Sequence, residues 1–147
     1  MEKLSKQRNP YPAADVIIHR NNEIVLVSRK EPVKGSLAVP GGFIEWGERV
    51  EDAAVREIEE ETGLKVKLED ILGVYSAPDR DQRAHIFTIT FVGKPIGGDL
   101  KSGEEHLDVN WYDLSKLDFT KLAADHAKIL QDYLKWRKQK GTYWSSK

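Results

Sequence analysis

The sequence contains no cysteine and only one methionine among its 147 residues. The missing thiols exclude a disulfide framework, a thiolate metal site and a cysteine nucleophile, and they favour the cytoplasm as the location of the protein. No apolar run approaches the roughly 18 residues that a membrane span requires, so we expect no membrane partner. The segment from Met1 to Asn9 is polar and charged, unlike a secretory signal peptide.

A large excess of one charge is also missing, because 23 basic and 24 acidic residues give a net charge of −1. The basic run KWRKQK at residues 135–140 is short and ends a predicted helix, where cations suit the helix dipole, so we expect no nucleic-acid partner. The length suits one hydrophobic core, which predicts a single domain over residues 1–147. About residues 1–9 and 141–147 are predicted to be flexible ends.

The acidic residues that are present cluster between Gly42 and Leu64, where eight acidic and two basic residues give a local charge of −6. Within this segment Glu57, Glu60 and Glu61 follow one another at i, i+3 and i+4, which places three carboxylates on one face of a helix. Such a face repels itself unless a cation is bound, and hard oxygen ligands suit Mg²⁺ or Mn²⁺, which also bind substrate phosphates. The pattern predicts a divalent-metal site, with basic residues elsewhere to hold an anion.

A plain alternative is that EIEEE forms only a solvated acidic helix face, as most charge runs do. That alternative explains the glutamates but not the glycines and the arginine at their spacings. The segment GGFIEWGERVEDAAVREIEEETGL resembles the Nudix box with no mismatch at a defining position. The matching residues are Gly42, Glu48, Arg56, Glu57, Glu60, Glu61 and Gly63.

The resemblance implies a fold and a set of site residues. The expected fold class is α/β, a Nudix-type α/β/α sandwich with a mixed β-sheet between helices. In the family the carbonyl at the Gly41 position is itself a metal ligand, and Arg56 is expected to hold a neighbouring carboxylate in place. The implied metal set is Gly41, Glu57, Glu60 and Glu61, with Glu48 supporting them.

The resemblance also implies Mg²⁺-dependent hydrolysis of a diphosphate linkage in a nucleotide substrate, with Mn²⁺ as an alternative cofactor. Related enzymes carry a further glutamate on a later loop as base or extra ligand. In KSGEEHLDVNW both Glu104 and Glu105 are candidates, and Glu105 is favoured because it lies six residues before Trp111. The alternative is that both are exposed loop acids.

The substrate is predicted from a second segment. GVYSAPDRDQRAH, residues 73–85, resembles a loop of the small prokaryotic ADP-ribose pyrophosphatases, in which Pro78 stands near their marker proline. Three departures, Ala77, Gln82 and Ala84, leave the substrate range open. The resemblance implies ADP-ribose as substrate, a homodimer, and substrate contacts from Arg29, Arg80, Arg83 and Pro78.

Two other functions stay open at this point. One is a housecleaning Nudix hydrolase that acts on (deoxy)nucleoside triphosphates or oxidised nucleotides. The other is a noncatalytic Nudix module that senses a nucleotide, although such sensors usually carry a degraded box or an attached DNA-binding domain.

Periodicity places these residues on a chain of strands and two helices. A hairpin is predicted from residues 13–19 and 24–29, followed by a helix over 50–62 that Gly63 ends and that Arg49, a poor N-cap residue, precedes. Further strands are predicted over 66–76, 85–92 and 109–112, and a last helix over about 120–137.

Overall fold

The computed structural model describes residues 7–147 and forms a mixed α/β fold, as predicted. Two α-helices occur among these residues, α1 (Val50–Thr62) and α2 (His126–Lys138), together with a 3₁₀ turn at Phe119–Lys121. The strands are β1 (Tyr11–Arg20), β2 (Glu23–Arg29), β3 (Leu37–Ala38), β4 (Gly41–Phe43), β5 (Leu64–Tyr75), β6 (Ile86–Gly98), β7 (His106–Asp113) and β8 (Tyr143–Trp144).

The sheet has the strand order β3-β2-β1-β6-β5-β8, with β4 paired to β1 and β7 paired to β2. Strands β1 and β6 run parallel from the pair Tyr11 and Ile86 to the pair Ile18 and Gly93. Strand β4 runs antiparallel to the first half of β1 and sets Gly41 opposite Asp15. The sheet is therefore mixed, and β1 lies in its interior between β2 and β6.

Two apolar cores lie on the two faces of this sheet. Alternation along a strand points successive side chains to opposite faces. Val16 and Ile18 of β1 belong to a buried cluster with Ile58 of α1, whereas Ile17 belongs to a second cluster with Ile129 and Tyr133 of α2. One helix thus covers each face, which confirms the predicted sandwich.

Helix α1 begins and ends where the sequence predicted. Arg49 at its N-cap makes no side-chain capping bond, and its Nε instead donates to Asp52 Oδ2 at 2.7 Å. At the other end Gly63 adopts φ 78° and its N–H donates to the Glu59 carbonyl. A residue with a Cβ adopts this left-handed conformation at a cost, so Gly63 allows the chain to turn directly into β5.

The last helix is shorter than predicted. The region expected to open it forms the 3₁₀ turn, capped by Asp118, whose side chain accepts from the Thr120 N–H. Ala124 then adopts φ 49°, and α2 starts only at His126. The prediction of a helix from about residue 120 was therefore wrong, because local capping by Asp118 and the left-handed Ala124 interrupt the helical path.

The end of the chain also differs from the sequence prediction. Residues 141–147 were expected to be flexible, but Tyr143–Trp144 form β8, parallel to Gly73 and Val74 of β5. The Ser145 hydroxyl accepts from the backbone N–H groups of Ser76 and Ala77. Residues 1–6 of the other predicted flexible end lie outside the described residues. No helix within residues 7–147 is long and apolar enough to cross a membrane.

Candidate active site

A single cavity of about 230 Å³ gathers residues that are far apart along the chain. Its walls come from β1, β2, the segment from β3 to β4, α1, the β5–β6 loop with the start of β6, the start of β7 and the first residue of α2. The predicted site residues that line it are Arg29, Gly41, Glu57, Glu60, Glu61, Arg80, Arg83 and Glu105.

The two glycines of β4 let other groups come close to the backbone. A Cβ on Gly42 would overlap the carboxylate of Glu57, and a Cβ on Gly41 would overlap Asp15 Oδ1. At Gly41 the Cβ would also overlap the Ala14 carbonyl, so glycine is required there for steric reasons, whereas at Gly42 the Glu57 side chain would have to move. The close approach sets the backbone of β4 beside the carboxylate of Glu57, where a bound cation would meet both.

Arg56 organises the acidic helix face. Its guanidinium donates to both carboxylate oxygens of Glu48, at 2.7 and 2.9 Å, and to Glu57 Oε1 at 2.9 Å. It also reaches Glu60 Oε2 and the Phe43 carbonyl, each at 3.2 Å. The hydrogen bonds from Arg56 lower the pKa of Glu48 to about 2, so Glu48 is a fixed anion that anchors Arg56. Both of its oxygens are thereby engaged, which makes Glu48 a supporting residue in this structure.

Of the three α1 carboxylates that line the cavity, Glu57 and Glu61 are more enclosed than Glu60. Burial raises the pKa of Glu57, although Arg56 opposes the shift. Glu61 is buried, and its Oε2 faces His106 Nε2. Within residues 7–147 no three acidic or histidine side chains already stand in a metal-holding group, since Arg56 draws Glu57 and Glu60 toward itself.

The donor set nevertheless fits a hard divalent cation. Three carboxylates of α1 line one cavity beside the glycine backbone of β4. Glu61 is buried with the ring of His106 beside its Oε2, and a cation would offset the cost of removing this carboxylate from water. Oxygen ligands of this kind suit Mg²⁺ and Mn²⁺ better than softer metals.

The structure separates the two loop glutamates. Glu105 lines the cavity together with Glu57, Glu60 and Glu61, whereas Glu104 is not among the lining residues. The carbonyl of Glu104 accepts from Lys30 Nζ at 2.5 Å, which ties that residue to the end of β2. Glu105 also lies close enough to Arg83 to raise the pKa of that guanidinium, after the larger effect of Asp81.

The three arginines that were predicted to contact the substrate differ in the number of hydrogen bonds that they already make to the protein. Arg80 is buried and donates to Asp125 at 2.6 to 3.0 Å and to the Ile86 carbonyl at 3.2 Å. Arg83 donates to both oxygens of Asp81, at 3.0 and 2.8 Å. No side-chain hydrogen bond joins Arg29 to another residue within 7–147, and burial together with Arg83 lowers its pKa. Among the described residues, Arg29 is thus the one of these three whose guanidinium makes no side-chain hydrogen bond, although Nη1 of Arg83 is also unused there.

Several polar residues of the cavity wall were not predicted as site residues, namely Asp15, Asp81, Thr88, His106 and His126. Burial raises the pKa of Asp15 to about 6 against the opposing effect of Arg80. His126 is buried, and its Nδ1 accepts from the Val39 N–H at 2.9 Å, so the proton of the neutral ring is on Nε2. Burial lowers its pKa well below the usual value, followed by the effects of Arg29 and Arg80. The signal for Asp15 was an acidic residue inside the apolar run AADVII.

Pro78 is the predicted contact that the cavity does not include. It is exposed in the loop after β5 and is absent from the residues that line the cavity. Pro78 therefore lies in the loop two residues before Arg80, which does line the cavity.

Comparison with known proteins identifies the family of the domain. The model of the NUDIX domain matches residues 9–133. The chain is 49% identical to an ADP-ribose pyrophosphatase of Methanocaldococcus jannaschii over 93% of its own length and 80% of the relative's. It is 34% identical to a putative 8-oxo-dGTP diphosphatase of Bacillus subtilis over 69% of its length and 65% of the relative's.

A solved structure shows the same fold. The NUDIX hydrolase of Nitrosomonas europaea superposes with a TM-score of 0.83 at 24% identity, over 94% of this chain and 78% of that one. Nudix hydrolases generally use divalent metal ions and act on nucleotide-diphosphate substrates, which suits the acidic face of α1 and the open donors of Arg29. With the domain match over most of its length, the chain belongs to the Nudix hydrolase family.

Proposed function

We propose that the protein is a Mg²⁺-dependent ADP-ribose pyrophosphatase, with Mn²⁺ as an alternative ion, and that it forms AMP and ribose 5-phosphate. One observation carries the proposal: a single cavity holds the carboxylates of the Nudix helix, a further glutamate and an arginine with open donors. The identity of 49% with the archaeal ADP-ribose pyrophosphatase supports the choice of substrate.

The cation is assigned to Glu57, Glu60, Glu61 and the Gly41 carbonyl. When bound, a divalent ion neutralises phosphoryl oxygens and makes a coordinated water a stronger acid. Arg56 and Glu48 keep the carboxylates in position, since Nη1 of Arg56 donates to both Glu57 and Glu60 while its Nε and Nη2 bind Glu48.

The reaction breaks one bond between a phosphorus and the bridging oxygen of the diphosphate. A water oxygen attacks that phosphorus, the bridging oxygen leaves on the other phosphate, and one water proton passes to a base. Glu105 is the proposed base because it lines the same cavity as the proposed metal ligands and, unlike Glu57 and Glu60, is not bound by Arg56. Arg29 is the proposed phosphate contact, since its donors are not used by other described side chains.

The site is tested by comparing Glu61→Gln with Glu59→Gln while AMP and ribose 5-phosphate are measured by chromatography. Glu59 is exposed on the same helix outside the cavity, so it is a matched control for the lost charge. We expect Glu61→Gln to lower kcat by roughly 100-fold or more and Glu59→Gln to leave it within about twofold. Equal rates for both variants would contradict the assignment of the metal site.

The substrate is tested by offering ADP-ribose, NADH, diadenosine polyphosphates and nucleoside triphosphates, oxidised ones included, with Mg²⁺. ADP-ribose is expected to give the highest kcat/KM. Pyrophosphate released from a triphosphate at a higher kcat/KM would favour the housecleaning alternative, which the 34% identity to the putative 8-oxo-dGTP diphosphatase keeps open. A lack of turnover on every substrate would favour the sensor.

The proposed assembly is a homodimer, and cytoplasm is the proposed location. Light scattering at micromolar concentration tests the dimer, and a monomer mass would contradict it.

A further inference from the structure

The loop between β5 and β6 carries three of the residues that line the cavity. They are Arg80, Asp81 and Arg83, and both arginines were predicted to contact the substrate. The backbone N–H of Arg80 donates to the Ala77 carbonyl at 3.1 Å, which forms a turn just before the cavity wall. The backbone N–H of Arg83 donates to Asp81 Oδ1 at 2.9 Å. The placement of both guanidiniums therefore depends on how the start of the loop, Ser76 and Ala77, is held.

The start of this loop is held by a side chain from the last strand. The Ser145 hydroxyl oxygen accepts from the backbone N–H groups of Ser76 and Ala77, at 2.8 and 3.1 Å. The Ser76 carbonyl accepts from His85 Nε2 at 3.1 Å, which joins the two ends of the loop. Backbone donors need partners in a folded protein. Because one hydroxyl oxygen serves two successive N–H groups, its removal would release the loop at both residues.

The β8 segment, by which we mean residues 143–147, is fixed to the sheet and to α2 by contacts of its own. Tyr143 pairs with Gly73 of β5. A Cβ on Gly73 would overlap the Tyr143 carbonyl, so the close approach of β8 depends on glycine at this position. The Lys147 carbonyl accepts from Lys128 Nζ of α2 at 3.1 Å. The hydroxyl that meets the loop is therefore presented from a fixed support.

We propose that the β8 segment positions the β5–β6 loop for substrate binding, and that Ser145 is the positioning residue through which it acts. The proposal rests on the proposed function, since it takes Arg80 and Arg83 as parts of the substrate site. The carboxylates assigned to the cation lie on α1, and Glu105 lies just before β7, so neither belongs to this loop. Loosening the loop is therefore expected to weaken substrate binding and to leave the chemical step intact.

The test compares three variants of the full chain. Ser145→Ala removes the acceptor, and Ser145→Thr keeps a hydroxyl at the same position. Ser146→Ala is the matched control, because Ser146 is exposed and its side chain makes no hydrogen bond within residues 7–147. Initial rates with ADP-ribose and Mg²⁺ give KM and kcat separately. Urea denaturation measures the stability of each variant, and amide hydrogen exchange followed by NMR reports on the loop.

We expect Ser145→Ala to raise the KM for ADP-ribose by roughly fivefold, the equivalent of one hydrogen bond, and to leave kcat within about twofold. Ser145→Thr and Ser146→Ala should keep both constants within about twofold of the wild type. Lower stability of Ser145→Ala at an unchanged KM would overturn the proposal, because a purely structural contact has that effect. A lower kcat at an unchanged KM, or an equal rise in KM in Ser146→Ala, would overturn it as well.

Amide exchange separates failure of this inference from failure of the proposed function. In Ser145→Ala the backbone N–H groups of Arg80 and Arg83 should exchange faster by roughly tenfold, whether or not ADP-ribose is the substrate. Unchanged exchange at these two residues would overturn the positioning role, even in an active enzyme. A wild-type protein that does not hydrolyse ADP-ribose loses the proposed function, and the exchange rates then decide the positioning role by themselves.

Discussion

The buried carboxylate of Asp15 makes a quantitative prediction about stability. In the folded protein its pKa is raised from 3.8 to about 6, chiefly by burial, while Arg80 opposes the shift. The folded state thus holds this proton more tightly than the unfolded chain does. Stability from this group is complete below pH 3.8 and is lost as the pH rises through about 6. Asp15→Asn removes the ionisation and keeps the shape.

The size of the effect follows from the two pKa values. Ionisation of Asp15 costs the folded state about 1 kcal/mol at about pH 4.5 and about 3 kcal/mol at about pH 7.5. The free energy of unfolding of Asp15→Asn minus that of the wild type should therefore increase by about 2 kcal/mol between these two pH values. The change with pH is the prediction, because the substitution itself adds a constant difference.

The assay is urea denaturation at several pH values with EDTA present, since a bound cation would stabilise the ionised carboxylate. Asp79→Asn is the control, because Asp79 is exposed and its side chain makes no hydrogen bond to other described residues. Its difference from the wild type should stay nearly constant across the same range. If the difference in free energy of unfolding between Asp15→Asn and the wild type were equally independent of pH, burial would not destabilise the ionised form of Asp15, and the reasoning would be refuted.

Three further predictions concern the residues around the reaction. Glu105→Gln should lower kcat by roughly 100-fold with KM little changed, whereas Glu104→Gln should leave the steady-state rates near normal. Arg56→Lys should raise the Mg²⁺ concentration for half-maximal activity by about tenfold or more, because one ammonium cannot bind Glu48, Glu57 and Glu60 together; a Mg²⁺ titration decides this. Arg29→Gln should raise the KM for ADP-ribose by about tenfold, measured from initial rates; an unchanged KM would remove Arg29 as a phosphate contact.

The sequence predicted those elements whose signals are local. Helix α1 was predicted with its observed bounds because its acidic first turn and Gly63 lie beside its apolar stripe. The carboxylates of α1 needed no tertiary information either, since helical spacing alone sets them on one face. The fold class, which the structure confirms, could also be predicted from a local signal, because the residues of the Nudix box identify the family.

The elements that sequence reasoning missed depend on distant partners. Strands β3 and β8 have two residues each, and they are strands only because β2 and β5 supply hydrogen-bonding partners. The start of α2 depends on Asp118 and Ala124, whose turn competes with a helical pattern that continues through it. Short strands and interrupted helices carry no periodic signal long enough to read.

The unpredicted wall residues have the same cause. His126 fits the apolar stripe of α2 by its spacing, and only the tertiary structure shows that its Nδ1 accepts from Val39 beside the glycine turn. His106 reaches Glu61 because β7 pairs with β2 and brings its first residue to the end of α1. In each case the side chain acquires its role from a contact between residues more than forty positions apart.

The arginines of the site divide into those that build it and one that remains open. Three of them donate to carboxylates of the protein: Arg56 to Glu48, Arg80 to Asp125 and Arg83 to Asp81. These ion pairs hold α1, the start of α2 and the β5–β6 loop around the cavity. A guanidinium held in this way loses little further entropy and changes partner only at the cost of leaving a carboxylate unpaired. Arg29 has no such partner among the described side chains and lines the same cavity as Glu57, Glu60 and Glu61. The three paired arginines therefore fix the shape of the site, whereas the guanidinium of Arg29 keeps its donors free of other described side chains.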